Sequence, residues 1–397
     1  MKKVYLILFF LLINIFIFSF QKSDMIIEYN RSNWYQNSVV EKITRLGSYF
    51  YDFEIIDSKK TVYLTNQYDF EDSMSYDVDV FLRITNNSTK TINTYYEIEG
   101  KSFYKKSELK DSSDWVEQFS VNLLEEISLN RLKYDNTWET LQMTFYEGVD
   151  EYPIKRNSTI AFISDRYKGN REVFFYDLNK VKINKIPLEL SSEYFPDISP
   201  NGNYFVFQST LFGNWDIVIY DRIKNDFKKI TDKTYGYSPY FIDDYKIIYS
   251  EEIENEVKYN QIVEYDLISE EKKVLTDDKE FLKYRPSLYK NKIIYYGINP
   301  ETAEVRIYLN DEKPIRLFDL SRNQMDSWSD NSDKIVFSYN LDASYDIFFL
   351  YENNLLNLTK EIDSDSYYPT FSDNGKYVFF SLYYKNKEPD IFIKKIF

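Results

Sequence analysis

Pro196-Asp197-Ile198-Ser199-Pro200-Asn201-Gly202, then Phe205-Val206-Phe207, then Asp216-Ile217-Val218-Ile219-Tyr220, reads as three short strands joined by tight turns. Glycine at 202 and 213 suits turns that need a positive φ. Phe227–Thr231 reads as a fourth strand. The opening returns near the end of the chain as Pro369-Thr370-Phe371-Ser372-Asp373-Asn374-Gly375, before Asp390-Ile391-Phe392-Ile393. Between these two copies, and once before them, the apolar triplet at the centre of the unit recurs. The six triplets are Ile160-Ala161-Phe162, Phe205-Val206-Phe207, Ile247-Ile248-Tyr249, Ile293-Ile294-Tyr295, Ile335-Val336-Phe337 and Val378-Phe379-Phe380. Their starts lie 45, 42, 46, 42 and 43 residues apart. A repeat of this length made only of strands marks propeller blades. The expected fold is mainly β: a six-bladed β-propeller over 159–397, preceded by a small α/β (α+β) domain.

That domain is expected over 24–135, where the repeat is absent. Trp34, Val39, Val40, Ile43 and Leu46 recur at helical spacing, with Ser32 as cap and Gly47 as stop. Strands are expected at Thr61–Thr65, Val78–Thr85 and Ile92–Glu99, the last two joined by a turn at Asn86-Asn87-Ser88. A second helix fits Ser113–Arg131, with Asp114 and Glu117 at capping-box spacing and Trp115, Phe119, Leu123, Leu124 and Ile127 on one face. Residues 136–158 read as a connector. The last repeat ends after its third strand and the first lacks an opening strand. Ring closure is therefore expected to mix the two ends, with Tyr146–Arg156 the candidate segment.

Lys2 and Lys3 precede an uncharged apolar run of 17 residues, Val4 to Phe20. This reads as an export signal, or an N-terminal anchor if uncleaved, over 1–20. Either way the remainder is expected outside the cytoplasm.

Composition narrows the function. Of 397 residues, 39 are Tyr and 31 Phe, types that favour half-buried pleated surfaces. Net charge is −15, which disfavours nucleic acid and anionic membrane as partners. The chain has no Cys and no His. A Ser-His-Asp triad, a Cys nucleophile and His- or Cys-bound metals are therefore excluded. The acidic pairs Asp363/Asp365, Asp243/Asp244 and Asp77/Asp79 lack the spacing of a calcium loop and read as turn or surface residues. No catalytic residue, metal site or cofactor is expected.

The Pro-x-hydrophobic-Ser-x-Asn/Asp-Gly openings, the Asp216-Ile217 and Asp390-Ile391 pairs, and the strand ends Ile230-Thr231, Leu275-Thr276 and Leu358-Thr359 resemble the repeats of the TolB family. Ile160-Ala161-Phe162-Ile163-Ser164-Asp165-Arg166 looks like that family's first blade. The resemblance covers nearly the whole chain after the leader. It implies a periplasmic, non-enzymatic part of the Tol-Pal envelope system, a monomer. Its propeller would engage a peptidoglycan-associated lipoprotein, and its N-terminal region an inner-membrane energy-coupling protein. Blades three and four lack the Gly turn, and other exported proteins share these repeats. A carbohydrate- or peptidoglycan-binding propeller, or a TolB-repeat protein outside Tol-Pal, therefore stays open. Tyr194, Tyr237, Tyr284 and Tyr367 recur two positions before the opening Pro, with Gln324 in that place in blade five. They are the expected partner-binding rim, with packing between blades as the other role for each.

Overall fold

The computed structural model describes residues 22–29, 31–57, 79–88, 91–110, 112–253, 259–277, 279–310, 325–331, 334–340, 344–352, 354–384 and 387–396. The leader, the strand expected at Thr61–Thr65, Asp77 and Gln324 lie outside them. Among the described residues no helix is long and apolar enough to cross a membrane.

The N-terminal domain is a five-stranded sheet with two helices. Its strands are β1 (Ser23–Tyr29), β2 (Tyr51–Asp57), β3 (Val80–Ser88), β4 (Thr91–Ile98) and β5 (Lys101–Glu108), in the order β2-β1-β3-β4-β5. β1 lies between β2 and β3 and runs parallel to both. Helix α1 (Trp34–Gly47) crosses from β1 to β2. Its cap is Asn33, whose side chain accepts from the Gln36 amide, so the cap sits one residue beyond Ser32. Gly47 is still helical. A Cβ there would lie 2.8 Å from the Phe53 ring, so glycine serves close approach and not a left-handed stop. Helix α2 (Ser113–Tyr134) is capped by Ser112, which accepts from the Trp115 amide. Phe119, Leu123, Leu124 and Ile127 are buried as the helical spacing requires, and Trp115 is half-buried.

The propeller has six blades. Seventeen of the eighteen triplet residues are buried, and Ile293 is half-buried. Burial on both faces of a sheet explains why the triplets are continuous apolar runs and not alternating ones. Blades two, three and five are four-stranded in chain order, and blade four has three strands among the described residues. The first strand of each blade packs against those of its neighbours all the way round.

Residues 136–158, expected to be a connector, supply two propeller strands. β6 (Thr140–Gln142) is the outer strand of blade six and pairs antiparallel with Asp390–Lys395. β7 (Asp150–Arg156) is the inner strand of blade one. Ring closure does mix the two ends, but through β6, while Asp150–Arg156, the later part of the candidate segment, opens the first blade.

The Ile/Leu-Thr signature explains why β6 fits. In blade two Ile230 donates its amide to Ile217 O, while the Thr231 hydroxyl donates to Asp216 and accepts from the Ile217 amide. Leu275-Thr276 treats Gln261-Ile262 the same way, and Leu358-Thr359 does so for Asp346-Ile347. In blade six the pair is Met143-Thr144, clasping Asp390-Ile391 from the other end of the chain.

The two domains share one hydrophobic core. Tyr49 packs edge-on against Tyr384 at 4.5 Å between centroids. The Arg166 guanidinium also bridges the domains: it grips both oxygens of Glu125 on α2, at 3.1 and 3.0 Å, and Asp150 on β7 at 2.8 Å. Glu125 and Asp150 are fully buried.

Candidate functional site

The inner strands carry a backbone irregularity that repeats around the axis. Each is bulged where it pairs with its neighbour: between Glu151 and Ile154, Tyr194 and Asp197, Tyr237 and Tyr240, Tyr284 and Ser287, Met325 and Trp328, and Tyr367 and Thr370. In five blades a proline sits inside the bulge, and the residue before it has a positive φ. These residues are Tyr152 (56°), Phe195 (50°), Ser238 (48°), Arg285 (49°) and Tyr368 (53°). Such a φ is uncommon for a residue with a side chain and costs of order 1–3 kcal/mol each. Blade five has Asp326-Ser327 in that place and no proline.

All five side chains line a cavity of about 110 Å³ on the propeller axis, with the prolines between them. The Tyr152 and Tyr368 rings lie 3.9 Å apart at centroid, and the Tyr152 hydroxyl donates to that of Tyr368 at 3.1 Å. Phe195 meets Tyr152 edge-on at 4.6 Å. The Arg285 guanidinium sits 4.5 Å from the Phe195 centroid and 5.3 Å from that of Tyr368. Burial holds the Tyr152 phenol well above its ordinary pKa, so its hydroxyl stays protonated. The wall is thus aromatic and proline-lined, with one guanidinium stacked on it.

The four tyrosines expected at the rim stand one residue before this lining. Each is half-buried. Tyr237 meets Tyr284 edge-on at 6.3 Å. Tyr194 packs on Trp215 at 5.4 Å beneath the Arg171 guanidinium, and Tyr367 packs on Tyr345 at 4.7 Å and Tyr383 at 5.1 Å. Burial pushes the Tyr284 phenol up to about 12. By register the row continues with Glu151 in blade one and Met325 in blade five. Glu151 is buried, ion-paired to Arg171, and accepts from the Tyr383 hydroxyl. The signal for the lining was the proline itself, because the residue directly before it faces the axis.

Four of the six residues in the acidic pairs hold backbone amides. Asp243 accepts from the amides of Tyr245 and Lys246, Asp244 from Asn201, Asp365 from Tyr345, and Asp79 from Asp24.

No family model matches the chain, and no curated protein matches it. Among solved structures, TolB from Acinetobacter baumannii is similar over 95% of this chain and 94% of its own, at 15% identity and a TM-score of 0.46. A putative TolB from Agrobacterium tumefaciens is similar over 63% and 91%, at 15% identity and 0.45. An oligogalacturonate lyase from Vibrio parahaemolyticus is similar over 66% and 95%, at 11% identity and 0.45. At these values none of the three bears on function. The order of parts, a small α/β domain and then six blades, is the one expected from the sequence.

Proposed function

We propose that this chain is an exported, non-enzymatic interaction module of the cell envelope, TolB-like, which docks a protein partner at one mouth of its propeller. The observation that carries the proposal is the ring of pre-proline residues turned onto the axis at positive φ. Backbone strain repeated about one axis fits a preorganised binding surface. Aromatic rings and an arginine are the side chains that dominate protein recognition. A sequence without His or Cys supports docking over catalysis. The resemblance in the repeats suggests a peptidoglycan-associated lipoprotein at the propeller and an inner-membrane energy-coupling protein at the N-terminal domain. A second reading, peptidoglycan or other glycan binding, is favoured by the three aromatic side chains, Tyr152, Phe195 and Tyr368, that line the cavity.

Photo-crosslinking amino acids placed at Phe195, Tyr237 or Ser238 in cells test this. Specific capture of a lipoprotein with a peptidoglycan-binding domain is the expected result. Capture of glycan fragments alone would move the assignment to the second reading. No capture from any of the three positions would sink both.

A further inference from the structure

A chain without cysteine cannot be stapled by a disulfide. We propose that Tyr152 and Tyr368 form an oxidative cross-linking site, where a dityrosine bond ties the first blade to the last. The geometry is specific. Ring centroids 3.9 Å apart at 30°, with hydroxyls meeting at 3.1 Å, bring the hydroxyl-bearing ends of the rings together. The ortho carbons flank those hydroxyls, so they are the positions that coupling would join. Both rings line the axial cavity, so a small oxidant reaches them.

Other close tyrosine pairs fit less well. Tyr49 with Tyr384 and Tyr367 with Tyr383 meet edge-on, at 83° and 82°. Tyr295 and Tyr308 stack at 8°, but both are buried. Tyr345 with Tyr367, at 4.7 Å and 35°, is the main competitor.

The chemistry needs two equivalents of a small one-electron oxidant, such as an inorganic oxyradical. Each phenol loses one electron to the oxidant and one proton to solvent, giving two phenoxyl radicals. The radicals join through a new carbon–carbon bond between ortho positions. The two ortho hydrogens then move to the oxygens and restore both phenols. The oxidant leaves as two reduced anions, and the linked pair weighs two hydrogens less than its parts. The link spans 216 residues of chain across the seam where the ring closes. Such a link removes freedom mainly from the unfolded chain, as a disulfide does.

The test is photo-oxidation of the full-length protein with a ruthenium tris-bipyridyl sensitiser and persulfate, followed by tryptic peptide mapping. The expected result is one dominant cross-linked pair joining the peptides of Tyr152 and Tyr368, two hydrogens lighter than their sum. Tyr152→Phe and Tyr368→Phe should each lose it, and Tyr237→Phe should keep it. Circular dichroism checks that the variants fold, and the wild-type map stands without them. The cross-linked protein should melt at a higher temperature than the untreated one. A dominant Tyr345–Tyr367 link, products scattered over exposed tyrosines such as Tyr104, or an unchanged melting midpoint would overturn the proposal.

Discussion

Glu193 opens the inner strand of blade two with its carboxyl fully buried. Burial pushes that carboxyl up to about 7, against the opposing hydrogen bonds of Ser191 and Ser209, with Glu172 adding to the rise. The folded state therefore holds the proton more tightly than the unfolded chain does. The group's contribution to stability is complete below about pH 4.5 and is lost as pH rises through about 7, a swing of about 3 kcal/mol at most. Glu193→Gln should flatten that decline in urea titrations across this range, since the amide oxygen can still accept from Ser209. A single hydroxyl is tested by Thr144→Ala. It removes the donor to Asp390 and the acceptor for the Ile391 amide, both buried. The loss should be about 1–3 kcal/mol by denaturant unfolding. Thr231→Ala, with the same contacts in blade two, should cost a comparable amount.

At the scale of elements, β6 is three residues long, and Leu141 within it is fully buried. Leu141→Pro removes its amide and its side chain together. Hydrogen exchange should then show loss of protection in Asp390–Lys395 and Tyr377–Tyr383, with blades two and three keeping theirs. The triplet strands were legible in the sequence because burial on both faces leaves an uninterrupted apolar run. β6 was not, because three residues carry no period. What marks it is Met143-Thr144 after it, a copy of Ile230-Thr231 placed ahead of the first repeat. β1, β2 and β5 also went unread. β1 sets its apolar Met25-Ile26-Ile27 between Asp24 and Glu28, β2 has charged residues between its apolar ones, and β5 alternates exposed with half-buried residues, so none of the three carries a long apolar run. The candidate site was legible to within one residue. Tyrosine recurs two places before the proline, but the bulge breaks the two-residue alternation and turns the next side chain to the axis.

At the scale of the molecule, Arg166 ties the propeller to α2 of the N-terminal domain through buried carboxylates. Arg166→Leu would leave Glu125 and Asp150 buried without their cation, a change that costs about 3–5 kcal/mol in comparable sites. Calorimetry should then resolve two transitions where the parent protein gives one. Thr144 and Gln142 meet Asp390 across 246 and 248 residues of chain. During translation β6 emerges early and has no partner until five whole blades have followed it. Contacts so distant in sequence form slowly. For most of its time as a nascent chain the propeller is an open crescent, with one blade's edge exposed at each end. A chaperone that shields strand edges would act on that crescent, and the protein would be most vulnerable to proteases just before its last strand arrives.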